Sequence, residues 1–302
     1  MDLMAEFKRA VEVLRSNLIL FLPALIIFYL IPVALLIAAV YVFTPIVIVA
    51  LKSPAPLWTF LQGLIPGLAI LLVLAVLAYL YVIAGAANMN RQAVLAGTAS
   101  MTDFWEGCKK YFGRIVCGAI VLTIVHGALF AAGVLFTIAT VLPSIPKLTE
   151  PEFMPRFEPE IFKPEKFTRI AAWLTELLRA LTDALGVWVA LLTVSVLVFI
   201  FTLFWIQALV MDEVGVFKAI RISVGFVKRN LKTTLGIGGL WIIAQGFTRA
   251  IFPGGGMGGG GPGYGYGFSF PPPLEAIFQL LIATFFTLLL YVVYADRTGK
   301  LQ

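Results

Sequence analysis

The sequence has 302 residues, of which 61% are apolar and only 13% are charged, with a formal net charge of +6 at pH 7. Soluble globular domains carry about 25% charged residues, so this composition excludes a soluble protein. The two cysteines, Cys108 and Cys117, lie on one predicted helix and are too far apart to pair with each other. With one histidine in the whole chain, the sequence has no metal-ligand spacing, and we expect no metal and no cofactor.

Six apolar stretches follow one another along the chain. Each is long enough to cross a bilayer core, which takes about 20 apolar residues per helix. The predicted spans lie near residues 18–44, 62–89, 115–142, 186–211, 233–252 and 274–295. The fifth span extends to residue 252 if Arg249 reaches the membrane interface with its charged end. The first stretch is too long for the apolar region of a signal peptide, so we expect none. These patterns predict an all-α membrane protein with six transmembrane helices.

An amphipathic stretch precedes each odd-numbered span. In all three, apolar residues recur at the i, i+3/i+4, i+7 spacing of one helical face, as in helices that lie in the headgroup plane of a membrane. The apolar positions are Leu3, Phe7, Ala10, Val11 and Leu14, then Phe104, Cys108, Tyr111, Phe112 and Ile115, then Phe217, Ile220, Val224, Val227 and Leu231. We therefore interpret residues 1–302 as one transmembrane domain of three repeats, each an interfacial helix followed by a transmembrane hairpin. The repeats cover residues 1–90, 91–213 and 214–302.

The positions of Lys and Arg predict the topology. Most of the 22 basic residues precede odd-numbered spans or follow even-numbered ones, and short cytoplasmic loops are enriched in such residues. We therefore expect a multi-pass protein of the cell membrane with both termini in the cytoplasm. An anionic inner leaflet attracts basic residues near its surface, so the expected partners are membrane lipids and not nucleic acid. The predicted membrane-surface residues are Lys8, Arg9, Arg15, Lys109, Lys110, Lys218, Arg221, Lys228, Arg229 and Lys232.

The segment FKAIRISVGFVKRNLKTTLGI, at residues 217–237, shows the interfacial helix leading into a span. This arrangement resembles the membrane domain of bacterial glycerophosphodiester phosphodiesterases and of related uncharacterised archaeal polytopic membrane proteins. In those enzymes the hydrolytic chemistry belongs to a separate soluble barrel rich in His, Glu and Asp, and no stretch of this sequence corresponds to it. The resemblance therefore implies a membrane fold without phosphodiesterase activity.

Two predicted outer segments differ from the repeat. Residues 143–186 begin with charged-Pro-Glu triplets, which are typical of an extended solvated chain, and end in an amphipathic helix; a strip that binds a ligand or partner is the alternative. Residues 253–273 are rich in glycine, which is typical of a flexible linker. Interleaved aromatic residues favour instead an ordered surface packed on a neighbouring copy or on lipid. The predicted partner contacts are Tyr264, Tyr266, Phe268 and Phe270.

Three polar side chains, His126, Gln207 and Gln245, are predicted inside the membrane. An ionisable residue at this depth suggests a functional site, but His126 has no acidic partner on a predicted span, so we expect all three to form hydrogen bonds between helices. The sequence contains no catalytic motif, and we expect no enzyme. The expected function is a structural, scaffolding or assembly role, with homo-oligomers or a membrane complex joined through the outer loops. The alternative is a transporter or channel for a small solute or lipid, with a path between the repeats or at an oligomer axis.

Overall fold

The computed structural model describes residues 3–52, 57–141, 164–252 and 273–301. The regular secondary structure of these residues is entirely helical, without a strand, and the predicted all-α fold is confirmed. The elements in chain order are α1 (Leu3–Ser16), a 3₁₀ turn (Leu18–Leu20), α2 (Phe21–Leu25), a π-helical turn (Ile26–Leu30), α3 (Ile31–Lys52), α4 (Leu57–Ala96), α5 (Met101–Val141), α6 (Pro164–Thr202), α7 (Trp205–Met211), α8 (Val216–Arg229), α9 (Leu231–Ile251) and α10 (Pro273–Arg297).

Among the described residues, five helical stretches are long and apolar enough to cross a membrane, as in a multi-pass membrane protein. These stretches are Leu18–Pro45, Leu64–Ala96, Met101–Thr140, Leu181–Met211 and Leu274–Arg297. The stretch predicted as the fifth span forms the helix α9, of 21 residues, which is outside this set. The polar residues Lys232, Gln245 and Arg249 lower its mean hydropathy.

The chain folds into two compact units, Met1–Gly118 with Thr202–Gln302, and Ala119–Phe201. In the first unit α10 contacts α1, α2, α4, α7 and α9, and 44% of the most apolar part of its span is buried. The second unit is built from parts of α5 and α6. Within it the Trp188 indole N–H donates a hydrogen bond to Thr137 Oγ1 at 2.8 Å, and the same ring lies 5.5 Å from that of Phe130.

Two of the three predicted amphipathic stretches form separate helices. An asparagine follows each of them, Asn17 after α1 and Asn230 after α8. Asn17 Nδ2 donates to the Val13 carbonyl oxygen and Asn230 Nδ2 to the Phe226 carbonyl oxygen, each at 3.0 Å. A short polar side chain that bonds the preceding turn competes with the helix backbone. The chain therefore leaves the helical path at both junctions, as the sequence predicts.

The second amphipathic stretch does not form a separate interfacial helix, so the prediction is wrong for this stretch. The helix α5 is unbroken over 41 residues, so this stretch continues directly into its span. No asparagine or proline interrupts α5 at the junction. Four of the five predicted apolar positions are buried in the protein, each at most 2% exposed, so they do not form a lipid-facing surface: Phe104, Cys108, Tyr111 and Ile115.

The fourth span also differs from its predicted form. The amphipathic half of the predicted outer loop belongs to α6, which runs without a break from Pro164 to Thr202. The helical path is interrupted later, before α7, within the stretch predicted as one helix over 186–211. At this break the Phe204 backbone N–H donates to Ser223 Oγ at 3.1 Å. A side chain of α8 therefore supplies the acceptor that the interrupted helix lacks.

Candidate functional site

A cavity of about 280 Å³ lies among the helices of the first unit. Four chain segments line it: residues 20–28 at the start of the first span, 79–90 of α4, 203–207 around the break before α7, and 283–291 of α10. Ligand-binding pockets in proteins have volumes of roughly 300–1,000 Å³. At about 280 Å³ the cavity lies just below this range, at a size that corresponds to a small ligand.

Irregular helical segments border the cavity on two of its walls. The first span contains the π-helical turn Ile26–Leu30, shortly after Pro23, which has no backbone N–H to donate. Single π-helical turns inside α-helices occur frequently at functional sites. On another wall, Leu203 lies in the break between α6 and α7 and lines the cavity. We infer that these interruptions of regular helix packing leave the space that forms the cavity.

Four side chains that line the cavity carry a buried oxygen without a hydrogen-bond partner. These atoms are Asn90 Oδ1, Gln207 Oε1, Thr284 Oγ1 and Tyr291 OH. They make up half of the eight such side-chain atoms in the part of the chain that the structure describes, and each residue is at most 5% exposed. An unpaired buried polar group costs about 1–3 kcal/mol, and few remain unpaired in native proteins. Their concentration in residues that line one cavity makes this cavity the candidate site.

The remaining lining is mainly aliphatic, and no charged side chain is among the lining residues. Phe28 and Tyr79 line the cavity and are 48% and 46% exposed. Tyr79 precedes Arg91 by 12 residues on α4, which corresponds to about 18 Å along the helix. The cavity therefore borders a surface well inside the span, on the side where lipid would contact the protein.

An ion-pair cluster holds the polar ends of three segments in the first unit. The Glu213 carboxylate accepts contacts from Lys110 Nζ at 2.9 Å and from Arg91 Nη2 at 3.0 Å. The hydrogen bond from the Lys110 ammonium, assisted by the positive charge of Arg91, lowers the pKa of Glu213 below its ordinary value although partial burial opposes the shift. This cluster joins α4, α5 and the segment after α7 immediately beyond the cavity residue Asn90.

Two further ionic contacts attach the chain ends to the same unit. Asp212 pairs with Lys300 Nζ and accepts a hydrogen bond from the Tyr294 hydroxyl. Arg297 Nε donates to Glu6 Oε1 at 2.7 Å, and Glu6 is only 4% exposed. Breaking a buried ion pair from one side leaves an uncompensated charge. The Glu6–Arg297 pair therefore fixes α1 against the end of α10, and the Asp212 contacts attach the same end of the chain to the segment after α7.

All ten basic residues predicted to contact lipid headgroups are exposed. Lys110 is nevertheless held by the carboxylate of Glu213, and Arg229 Nε donates to the Gly225 carbonyl oxygen of its own helix at 3.3 Å. The helix α8 buries a face that is offset from the predicted one, comprising Val216, Ala219, Ser223, Phe226 and Val227. Phe217, on the predicted apolar face, is 72% exposed.

The predicted intramembrane polar residues have different environments. Gln207 lines the cavity, and its Oε1 has no partner. His126 Nδ1 lies 2.8 Å from the Leu122 carbonyl oxygen one turn earlier on α5, so this contact lies within one helix and not between helices as predicted. Gln245 is half-buried on α9. The predicted partner contacts Tyr264, Tyr266, Phe268 and Phe270 lie outside the described residues.

Sequence reasoning did not identify Asn90, Thr284 and Tyr291 as site residues. Asn90 immediately precedes Arg91 and looks like the polar end of a span, while Thr and Tyr are common within spans and at their interfaces. The two cysteines are free, with Cys108 buried and Cys117 exposed. Within the described ranges, no group of three or more His, Cys, Asp or Glu residues is placed to hold a metal ion.

A family profile described as "Domain of unknown function (DUF7847)" matches residues 1–295 of the chain. No curated protein and no solved structure matches the sequence. The matched region includes all residues that line the cavity and nearly the whole of the last span.

Proposed function

The chain belongs to the DUF7847 family, and we propose that it is a non-enzymatic membrane transporter that takes a small solute or lipid into the cavity of its first unit. The observation that carries this proposal is the group of four unpaired buried oxygens around one cavity. Transporters place polar binding groups near interrupted helices inside the membrane. Here the π-helical turn and the break before α7 border the polar lining.

We further propose six membrane crossings, with α9 as the fifth. The Glu6–Arg297 ion pair places the helix before the first span beside the end of the last span. Five crossings would put these two points on opposite faces of the membrane, whereas an even number puts them on the same face. At 21 residues, α9 is about 31 Å long and matches a hydrocarbon core of about 30 Å. At 14 residues, α8 is about 21 Å long and is too short to cross.

The membrane orientation follows from the exposed basic residues. Both termini are placed in the cytoplasm, where the ten predicted membrane-surface residues contact the anionic inner leaflet. The separate helices α1 and α8 are then the interfacial elements of the first and third repeats. The exposed ring of Phe217 beside Lys218 supports this arrangement, because interfacial helices present apolar side chains to lipid next to basic ones.

An assembly role through residues 253–273 is compatible with transport but independent of the cavity. Its predicted contacts lie outside the described residues, so the cavity carries the functional proposal. Homo-oligomerisation through this segment remains a prediction from its aromatic residues.

Native mass spectrometry of the full chain, released from lipid vesicles, tests the proposal. We expect wild-type protein to retain a small-molecule adduct. Ala283→Trp places a bulky ring at a cavity-lining position of α10 and should remove the adduct. Ala128→Trp, at an exposed position of α5, is the matched control and should retain it. Wild-type protein without an adduct, or equal adducts in all three proteins, would contradict the proposal.

Movement of the identified adduct provides the transport test. Its passage across or between the leaflets of vesicles containing the wild-type protein should exceed that in protein-free vesicles. Ala283→Trp should reduce the rate to the protein-free value, whereas Ala128→Trp should preserve it. Equal rates with the two variants would contradict a path through the cavity.

A further inference from the structure

We propose that the ligand of the cavity is an uncharged amphiphile, a short single-chain lipid alcohol whose hydroxyl group binds at the Asn90–Gln207 end. This inference rests on the proposed function and specifies the chemistry of its ligand. It combines three observations: the absence of charge in the lining, the unpaired oxygens and the aliphatic path between them and the exposed aromatic residues.

The lining excludes a charged ligand. None of its 18 residues is Asp, Glu, Lys, Arg or His. Two charged groups near the lining along the chain are already paired, Arg91 with Glu213 and Asp212 with Lys300. A charge in an apolar site without a counter-charge is strongly unfavourable. The ligand that fits is therefore uncharged.

Two of the unpaired atoms can only accept hydrogen bonds, which favours a ligand that donates them. Asn90 Oδ1 and Gln207 Oε1 are acceptors, while the hydroxyl groups of Thr284 and Tyr291 can donate or accept. A ketone or ester carbonyl could not donate to the two amide oxygens. An alcohol both donates and accepts, so one hydroxyl group can bond an amide oxygen and a protein hydroxyl group.

The polar and apolar parts of the cavity are arranged along α4. Asn90 lies next to the ion-paired Arg91, whereas Tyr79 is 11 residues earlier, about 17 Å along the helix. Ile83, Ala86 and Ala87 line the wall between them. An alkyl chain that follows this wall from Asn90 extends toward the exposed ring of Tyr79. The hydroxyl group then lies at the polar end and the chain points to lipid.

The volume sets how much of the ligand the cavity encloses. At about 30 Å³ for each water-sized group, a cavity of about 280 Å³ holds roughly nine such groups. One hydroxyl group with eight carbon atoms fits this space. Octanol is therefore a suitable probe.

Photolabelling of the full chain in phosphatidylcholine vesicles with a diazirine-bearing octanol tests the inference. We expect labelled peptides to include residues 79–90 and 283–291. Unlabelled octanol should reduce this labelling at a concentration in the membrane at least about fivefold lower than octane or octanoate requires, because the hydroxyl group adds about 1 kcal/mol of hydrogen bonding. Equal competition by octanoate, or no labelling of either segment, would overturn the inference.

Matched glutamine variants test the assigned contact. Gln207→Leu removes an amide that lines the cavity, and we expect the octanol concentration for half-maximal competition to rise about fivefold or more. Gln245→Leu makes the same change on α9, outside the lining, and should leave it unchanged. Asn90→Leu changes the other amide of the assigned contact and serves as a second cavity variant if Gln207→Leu does not fold. Unchanged competition in the folded cavity variant would overturn the assignment.

The two proposals fail in different ways. A charged adduct in native mass spectrometry that disappears in Ala283→Trp would support the proposed function and overturn the alcohol inference. If the Ala283→Trp protein keeps both the adduct and the octanol label, both proposals are overturned.

Discussion

Glu213 shows how one residue holds distant parts of the chain together. Its φ of 53° lies in the left-handed region, which costs an L-residue about 1–2 kcal/mol. This conformation directs the chain between α7 and α8 while the carboxylate contacts Lys110 and Arg91. Lys110 is 103 positions away in the sequence, so only the folded chain reveals the pairing.

We predict that Glu213 contributes stability that depends on pH. Its lowered pKa means that the contribution is present above the ordinary Glu value of about 4.3 and is lost as pH falls through the lower folded-state value. Glu213→Gln should lower the melting temperature at pH 7, and the difference from wild type should disappear at acid pH. The loss should stay below about 1 kcal/mol and decrease with salt, because the Glu213 side chain is 43% exposed.

Thermal unfolding in detergent, followed at several pH values, measures this difference. Glu106→Gln, at an exposed carboxylate of α5, is the control and should leave the melting temperature nearly unchanged at each pH. A Glu213→Gln deficit that stays constant down to acid pH would show that the ion pair does not cause it.

The cavity residues differ in how far the sequence identifies them. Gln207 is predictable as a site residue because an amide interrupts a long apolar run. Asn90 is adjacent to a charge, and Thr284 and Tyr291 are ordinary residues of a span. Their shared property is the lack of a hydrogen-bond partner around a common space. That property depends on the packing of four separate chain segments and has no local signal in the sequence.

Among the elements, the amphipathic stretches show which features of a helix the spacing of apolar residues predicts and which it does not. Periodicity indicates an apolar face, and Asn17 and Asn230 mark where α1 and α8 end. It does not indicate whether lipid or protein covers that face. In α5 the face packs closely on α4, because Gly107 lacks a side chain where it meets Ala84 and Gly85. Close helix contacts in membrane proteins depend on such small residues.

We predict opposite effects for two glycine-to-alanine changes on α5. A methyl group at Gly107 would lie 2.7 Å from the Ala84 carbonyl oxygen and 2.6 Å from Asn88 Cβ, so Gly107→Ala should separate α5 from α4 and destabilise the protein by about 1–3 kcal/mol. At Gly113 no atom lies within 4 Å of such a methyl group. Gly113→Ala should therefore stabilise the helix by up to about 1 kcal/mol.

Melting temperatures of the two variants in the same detergent give the comparison. The two sites share one helix and the same chemical change, so the difference isolates the contact with α4. A Gly107→Ala protein as stable as Gly113→Ala would show that α4 and α5 do not approach so closely.

For the molecule as a whole, composition predicts the class of protein because the apolar runs are long and nearly free of charge. The number of crossings is less evident, because α9 contains Lys232, Gln245 and Arg249 and is therefore a weaker candidate. Long-range contacts in the folded chain bear on this number. Asn17 Nδ2 donates to the Gly97 carbonyl oxygen at 3.0 Å, so the residue before the first apolar stretch lies beside the residue that follows α4.

The same reasoning predicts that both chain ends lie on one face of the membrane. The Glu6–Arg297 pair joins the elements nearest the two ends, and only an even number of crossings permits this contact. Single cysteines at positions 2 and 302, in a chain without Cys108 and Cys117, should react with an impermeant maleimide from the same side of sealed vesicles. A cysteine at position 54, between α3 and α4 in the sequence, should react from the other side. Labelling of positions 2 and 302 from opposite sides would require an odd number of crossings and would remove α9 from the set of spans.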